Sequence, residues 1–169
     1  YDEVTKAFAI TGTGAMEDYN TYSDRPWDGS ISENATSVTI SEGVTRIGET
    51  AFHSFTQITA VTVPASVESI GYCAFTSCEA MQSITFAEGS RLTAFDQFVF
   101  QNCTALKQIT LPAGVTSVDS TVFLDCYALT GIFVEEGSTT LKDIDGVLYT
   151  ADGTTLLRYP FGKKDTAFT

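Results

Sequence analysis

Apolar residues recur along this chain with a period of 23. Residues 38–60 read VTISEGVTRIGETAFHSFTQITA, residues 61–83 read VTVPASVESIGYCAFTSCEAMQS and residues 109–131 read ITLPAGVTSVDSTVFLDCYALTG, each a unit of 23. Residues 84–108, ITFAEGSRLTAFDQFVFQNCTALKQ, form the same unit with two extra residues. A fixed period of about 20 to 50 residues marks a repeat architecture, in which each unit is one supersecondary element.

Aligned in this way, Val38, Val61, Ile84, Ile109 and Ile132 fall in one column, and Ile40, Val63, Phe86, Leu111 and Val134 in the next. Ile47, Ile70, Phe95, Val118 and Ile144 form a third, and Phe52, Phe75, Phe100, Phe123 and Tyr149 a fourth. A fifth holds Ile58, Met81, Leu106 and Leu129.

The opening triplet of each unit alternates apolar, polar, apolar, which predicts a short half-buried strand, closed in two units by Pro64 or Pro112. A turn rich in Gly and Ser precedes the second apolar pair, Val44 with Ile47 or Val67 with Ile70. The Ala-Phe pair after it begins a brief helical or irregular return. One unit cannot enclose its own apolar side chains, so the units are expected to stack, with strands about 4.8 Å apart and the columns forming a continuous interior.

The flanks read as covers for the two open ends. A strand from Phe8 to Thr11, with Tyr19, Tyr22 and Trp27, is expected over the first. Gly146 to Thr150 and Thr154 to Tyr159 are strand-like and flank Ala151-Asp152-Gly153, a hairpin signal, with Asp152-Gly153 suited to positive φ.

The units resemble the BspA-like leucine-rich repeats, of pattern LxxIxLPxxVxxIGxxAFxxCxx; the best matches are VTVPASVESIGYCAFTSC and ITLPAGVTSVDSTVFLDC, within residues 38–149. AITGTGAMEDY, residues 9–19, and GVLYTADGTTLLRYPFGKKDTAF, residues 146–168, resemble that family's flanking segments. The resemblance implies an α/β or mainly-β solenoid, a right-handed leucine-rich-repeat coil of about five repeats. One domain is then expected over residues 1–169, with an N-terminal cap at 1–37, repeats at 38–145 and a C-terminal hairpin cap at 146–169. It also implies a secreted or cell-surface bacterial protein with a role in adhesion or recognition.

Composition narrows the partners. An apolar content of 43% supports a packed core, and 21 acidic against 9 basic residues give a net charge of −12, which repels nucleic acid and anionic lipid. No run of about eighteen apolar residues occurs, so no membrane insertion is expected. The start at Tyr1 lacks the basic and apolar regions of a signal peptide, so the chain reads as a piece of a longer precursor. A monomer is expected.

Residues able to carry chemistry are few and scattered. Cys78, Cys103 and Cys126 share one repeat position, where Phe55 stands in the first unit, and Cys73 belongs to another column. Buried reduced thiols are the simpler reading; adjacent coils could also bring two sulfurs within bridging distance, leaving one over, and the spacing gives a zinc site little support. His53 is read as exposed and non-catalytic, and with no second histidine, neither a histidine-based metal site nor a placed triad can be built. Gly12-Thr13-Gly14 is read as a turn, not a phosphate loop. Asp143, Asp145 and Gly146 open like a calcium loop, but Thr154 stands where the closing Glu belongs, so they are read as the approach to the hairpin. Glu135-Glu136 are read as solvated edge charges, and Asn34 and Asn102 begin Asn-x-Thr sequons. No enzyme activity, cofactor or metal is expected.

The column between the two buried positions of each strand, Thr39, Thr62, Thr85, Thr110 and Phe133, is expected on the concave face as a hydroxyl ladder ending in an exposed aromatic. Its neighbours Ser37, Ala60, Ser83, Gln108 and Gly131 are small or uncharged, with the acidic groups elsewhere. Such a face suits a protein or glycan partner, and stacked threonines also favour strand pairing itself. The leading expectation is a non-enzymatic protein-binding or adhesion module; the alternative is a structural spacer that displays other domains of a larger surface protein.

Overall fold

The computed structural model describes residues 1–27 and 29–164. The side chain of Tyr22, read as part of the aromatic cover, and residues 165–169, at the end of the expected hairpin segment, lie outside the described residues. The chain winds into a β-solenoid. Its strands are β1 (Ala7–Ile10), β2 (Gly14–Ala15), β3 (Ser37–Ile40), β4 (Val44–Ile47), β5 (Ala60–Val63), β6 (Ser69–Ile70), β7 (Ser83–Phe86), β8 (Ala94–Phe95), β9 (Gln108–Leu111) and β10 (Gly131–Val134), followed by β11 (Leu141–Ile144), β12 (Val147–Thr150) and β13 (Leu156–Arg158). A 3-10 turn at Tyr22–Asp24 and one short helix, Gly29–Asn34, lie in the N-terminal segment.

The opening strand of each unit stacks in parallel on its neighbour, in the order β1-β3-β5-β7, with β9 pairing β10. A second parallel sheet, β2-β4-β6-β8, is built from the second apolar pairs. The register is that of the aligned columns: Val38 pairs with Val61, Val61 with Ile84 and Ile109 with Ile132. Period-two alternation sends these residues inward and the threonines between them outward.

The return after each Ala-Phe pair is neither helix nor strand, yet it is bonded coil to coil. Thr50, Phe52 and Ser54 donate N–H to the carbonyls of Tyr72, Ala74 and Thr76 at 2.9, 2.8 and 2.8 Å, and Cys73, Phe75 and Ser77 do the same to Gln97, Val99 and Gln101 at 3.2, 2.9 and 2.8 Å. Tight turns at Ser54, Ser77, Asn102 and Asp125, with φ of 61°, 60°, 58° and 60°, aim these groups. Left-handed backbone costs an L-residue about 1–2 kcal/mol, and the repeated inter-coil bonds hold it in place.

Phe52, Phe75, Phe100 and Phe123 line up along one axis as a stack, with ring centroids 5.1, 5.8 and 5.7 Å apart and interplanar angles of 13°, 17° and 9°. All four are buried, as are Ile47, Ile58, Met81, Leu92 and Leu106. Leu92 fills the place of Val67 and Val115, which shows how the unit of residues 84–108 absorbs its two extra residues.

Two columns extend less far than the alignment suggests. Ile144 is 43% exposed and Tyr149 half-buried, because both lie in the antiparallel sheet β11-β12-β13 that closes the end of the stack. The turn between β11 and β12 is Asp145-Gly146, with φ of 52° and 76°, the two positive angles of a type I′ hairpin. In the second turn Gly153 carries the positive φ of 73° and Asp152 does not.

Candidate functional site

The threonine face is the surface that the repeat generates most regularly. Thr39 pairs with Thr62, Thr62 with Thr85 and Thr110 with Phe133, and all four threonines are exposed. The hydroxyls of Thr62 and Thr85 are 3.1 Å apart. Phe133 departs from the reading as an exposed aromatic: it is half-buried, its ring folded over the Cα of Gly131 and beside Gly146, where a Cβ on Gly131 would approach ring atoms to 2.7 Å. A glycine at 131 lets the ring lie flat on the strand.

The face is divided by prolines. In a parallel ladder each carbonyl that faces the neighbouring strand accepts from the residue after its cross-strand partner. At the end of the strands this bond forms from Ser41 to Ile10 at 3.0 Å, from Ala87 to Val63 at 2.9 Å and from Glu135 to Leu111 at 2.9 Å. At the two alternate junctions the same position is Pro64 or Pro112, which has no N–H to offer Ile40 or Phe86. The ladders follow suit. β1 with β3, β5 with β7 and β9 with β10 are paired over their whole length, whereas β3 and β5 pair only at Val38-Val61 and Thr39-Thr62, and no ladder joins β7 to β9.

A groove lies at each proline junction. One of about 450 Å³ is lined by Thr39, Ile40, Thr62, Pro64 and Glu42. The other, of about 260 Å³, is lined by Thr85, Phe86, Gln108, Thr110, Phe133 and Glu135. The face is therefore not free of charge as expected: Glu42 stands in one groove and Glu135 in the other, both exposed. The Glu135 carboxylate accepts the Ala113 N–H at 3.2 Å.

The remaining candidates resolve into structural roles. All four cysteines are free, three of them buried. Each buried thiol donates to the carbonyl of the phenylalanine one coil back: Cys78 to Phe52 at 3.3 Å, Cys103 to Phe75 at 3.2 Å and Cys126 to Phe100 at 3.0 Å. Burial raises the Cys126 thiol above its ordinary pKa and the Cys103 thiol well above it, which keeps both in the donor form. At the last coil Arg158 takes over, donating to the Phe123 carbonyl at 3.1 Å.

At the first coil the carbonyls of Glu49, Ala51 and His53 face backward, where a preceding coil would supply donors. The Tyr19 N–H and the buried Arg25 guanidinium fill that role, with Tyr19 reaching Glu49 at 3.2 Å and Arg25 reaching Ala51 and His53 at 3.4 and 2.9 Å. Phe8 and Trp27, with centroids 5.0 Å apart, cover the end of the ring stack.

His53, read as exposed, is half-buried, with Nδ1 2.8 Å from the Ser54 hydroxyl. Burial first, and the nearby Arg25 charge second, hold its imidazole below its ordinary pKa. Asp143 accepts the Val134 N–H at 3.0 Å and Gly146 O accepts the Ile132 N–H at 2.8 Å, so the calcium-like triplet covers the free edge of β10. Asn102 points outward, its side chain bonding Ser77 and Glu79, and Asn34 lies exposed at the end of the short helix. Among the described residues no group of three or more His, Cys, Asp or Glu is placed to hold a metal, and no helix is long and apolar enough to cross a membrane.

Residues 30–144 match the family profile of the BspA type leucine rich repeat region, in 6 copies. The chain belongs to that family. A BspA-type repeat fold of this kind is typically non-enzymatic. Among solved structures, the chain is similar to a leucine-rich repeat protein from Eubacterium ventriosum, with 29% identity and a TM-score of 0.76, covering 95% of this chain and 48% of that one. It is also similar to the pneumococcal vaccine antigen PcpA, with 26% identity and a TM-score of 0.79 over 99% of this chain and 50% of that one. A leucine-rich repeat protein from Bacteroides capillosus shares 31% identity at a TM-score of 0.54, covering 80% and 83% of the two chains. This BspA-type chain thus spans about half the length of the first two, at 48% and 50%. A comparison with curated protein sequences finds no match.

Proposed function

We propose that this chain is a non-enzymatic recognition module of a secreted or surface-displayed bacterial protein, binding its ligand across Thr39, Thr62, Thr85, Thr110 and Phe133. The observation that carries the reading is the row of exposed threonines, with Thr39, Thr62 and Thr85 in strand register and Thr110 on the far side of the β7–β9 junction, flanked by two grooves. A rigid face of small hydroxyl groups loses little side-chain entropy on binding, and the solenoid fixes the spacing of its contacts. The similarity to the pneumococcal antigen supports placement outside the cell.

The test is a screen of the labelled chain against arrays of surface proteins and glycans, followed by Thr85→Arg on this face and Thr93→Arg beside β8 of the second parallel sheet. Loss of the ligand with Thr85→Arg alone supports the reading. A ligand lost with Thr93→Arg alone contradicts it, and a ligand found only for a neighbouring domain of the longer protein favours a spacer.

A further inference from the structure

We propose that the solenoid is built as two blocks, residues 1–107 and 108–164, joined by a hinge at the β7–β9 junction, where both parallel sheets are interrupted together.

The earlier junctions show what an intact one contains. Between the first two units β3 pairs β5 at Val38-Val61 and Thr39-Thr62, and β4 pairs β6 at Arg46-Ser69 and Ile47-Ile70. Between the second and third, β5 and β7 are paired throughout and β6 pairs β8 at Ser69-Ala94 and Ile70-Phe95. Just past the second strand Gly71 donates to the Ile47 carbonyl and Asp96 to the Ile70 carbonyl, each at 2.9 Å. Where Pro64 weakens one sheet, the other is therefore whole.

At the third junction both sheets give way. Among the described residues no ladder joins β7 to β9, and Pro112 has no N–H for the Phe86 carbonyl. The second sheet ends at β8 and continues only as an isolated bridge from Ala94 to Ser117. A bond from Asp119 to the Phe95 carbonyl, the counterpart of Gly71 to Ile47 and Asp96 to Ile70, is absent among the described residues, although Thr116 still donates to Thr93 at 3.2 Å. The bond that leads into the first strand is also longer here: Lys107 reaches the Gln82 carbonyl at 3.4 Å, whereas Gln82 reaches Thr59 and Thr130 reaches Lys107 at 2.8 Å. The groove of about 260 Å³ lies along this seam, with Thr85 and Phe86 on one wall and Gln108 and Thr110 on the other.

The connection is kept on the return side. Phe100 donates to Val122 and Asn102 to Leu124, both at 2.9 Å, the Cys126 thiol donates to the Phe100 carbonyl at 3.0 Å, and the Phe100 and Phe123 rings stack at 5.7 Å. That side is the hinge axis, and rotation about it widens the groove. In a solenoid each unit contacts only its neighbours, so stability is close to a sum of unit terms and junction terms. A junction short of ladder bonds couples its two sides least, and the units on either side open as separate cooperative groups.

Native-state hydrogen exchange on the whole chain, followed amide by amide by NMR in rising sub-denaturing urea, tests the hinge. Phe75 and Ala87, bonded to Val99 and Val63 at 2.9 Å, report on the first block, and Ile132 and Glu135, bonded to Gly146 and Leu111 at 2.8 and 2.9 Å, on the second. Two exchange isotherms are expected, divided between Lys107 and Gln108, with the smaller second block exchanging about tenfold faster. Pro112→Ala, which returns an N–H to the position facing the Phe86 carbonyl, narrows that gap. Pro64→Ala, the same substitution at a junction whose second sheet is whole, leaves it open. Protection that falls off coil by coil from the ends, a single isotherm for all amides, or a division at another junction overturns the proposal. So does a gap that Pro112→Ala leaves as wide, or that both variants close equally. If Pro112→Ala does not fold, the isotherms of the native chain decide alone.

Discussion

Phe100→Ala removes the ring in the middle of the aromatic stack. Phe100 is fully buried, and its centroid lies 5.8 Å from Phe75, 5.7 Å from Phe123 and 5.8 Å from Phe95. Truncating a buried phenylalanine costs about 3–5 kcal/mol, the spread reflecting how far the surroundings close over the void. Here collapse is opposed on both sides. The backbone of Phe75 is tied to Val99 and that of Phe100 to Val122, each at 2.9 Å, so the coils cannot move together without breaking the return ladder. The upper half of the range, about 4–5 kcal/mol, is therefore expected. For a chain of this size about 1 kcal/mol shifts the melting temperature by about 2–4 °C, so the midpoint should fall by more than about 8 °C. Calorimetry and denaturant titration measure the loss, and amide exchange in the coils on either side locates it. A loss below about 1 kcal/mol would mean that Phe100 does not sit between two fixed rings.

Thiol labelling under native conditions should modify Cys73 alone, and full reaction of all four cysteines should require denaturant; rapid native labelling of Cys103 or Cys126 contradicts their burial. Because the His53 imidazole is held below its unfolded value of about 6.5, the unfolded chain binds the extra proton first. Stability should therefore fall as the pH drops below about 6.5, and His53→Gln should flatten that part of the stability–pH curve. Arg25→Met should cost about 1.5–3 kcal/mol, read by thermal melting, by removing the charged donor from the carbonyls of Ala51 and His53. No change in melting temperature would show that the cap does not need it.

The repeat period, the buried columns and the strand register were legible in the sequence because one apolar pattern recurs four times, so each copy checks the others. Extending the columns to Ile144 and Tyr149 failed for the same reason: alternation alone does not tell a parallel coil from the antiparallel hairpin that closes it. The positive-φ column Ser54, Ser77, Asn102 and Asp125 carried a readable signal, since Asn and Asp tolerate that conformation, but the serines diluted it. The role of the cysteine column lay beyond the pattern, because its acceptor is a backbone carbonyl one coil away. Pro64 and Pro112 were visible as strand ends. Their effect on the neighbouring ladder emerged only when Ser41, Ala87 and Glu135 were seen donating at the same position. Phe133 looked exposed because the glycine beneath it at 131 gives no sequence sign of receiving a ring.

Cross-linking tests the stacked register most directly. With Cys73 replaced by Ser, the pair Thr39→Cys and Thr62→Cys places two thiols on directly paired residues of adjacent strands, about 4.8 Å apart at Cα and within disulfide reach. Thr39→Cys with Thr85→Cys spans two strand spacings, about 9.6 Å, beyond it. Mild oxidation should bridge the first pair and leave the second as free thiols; bridging of the second as readily as the first, or of neither, would contradict the stack.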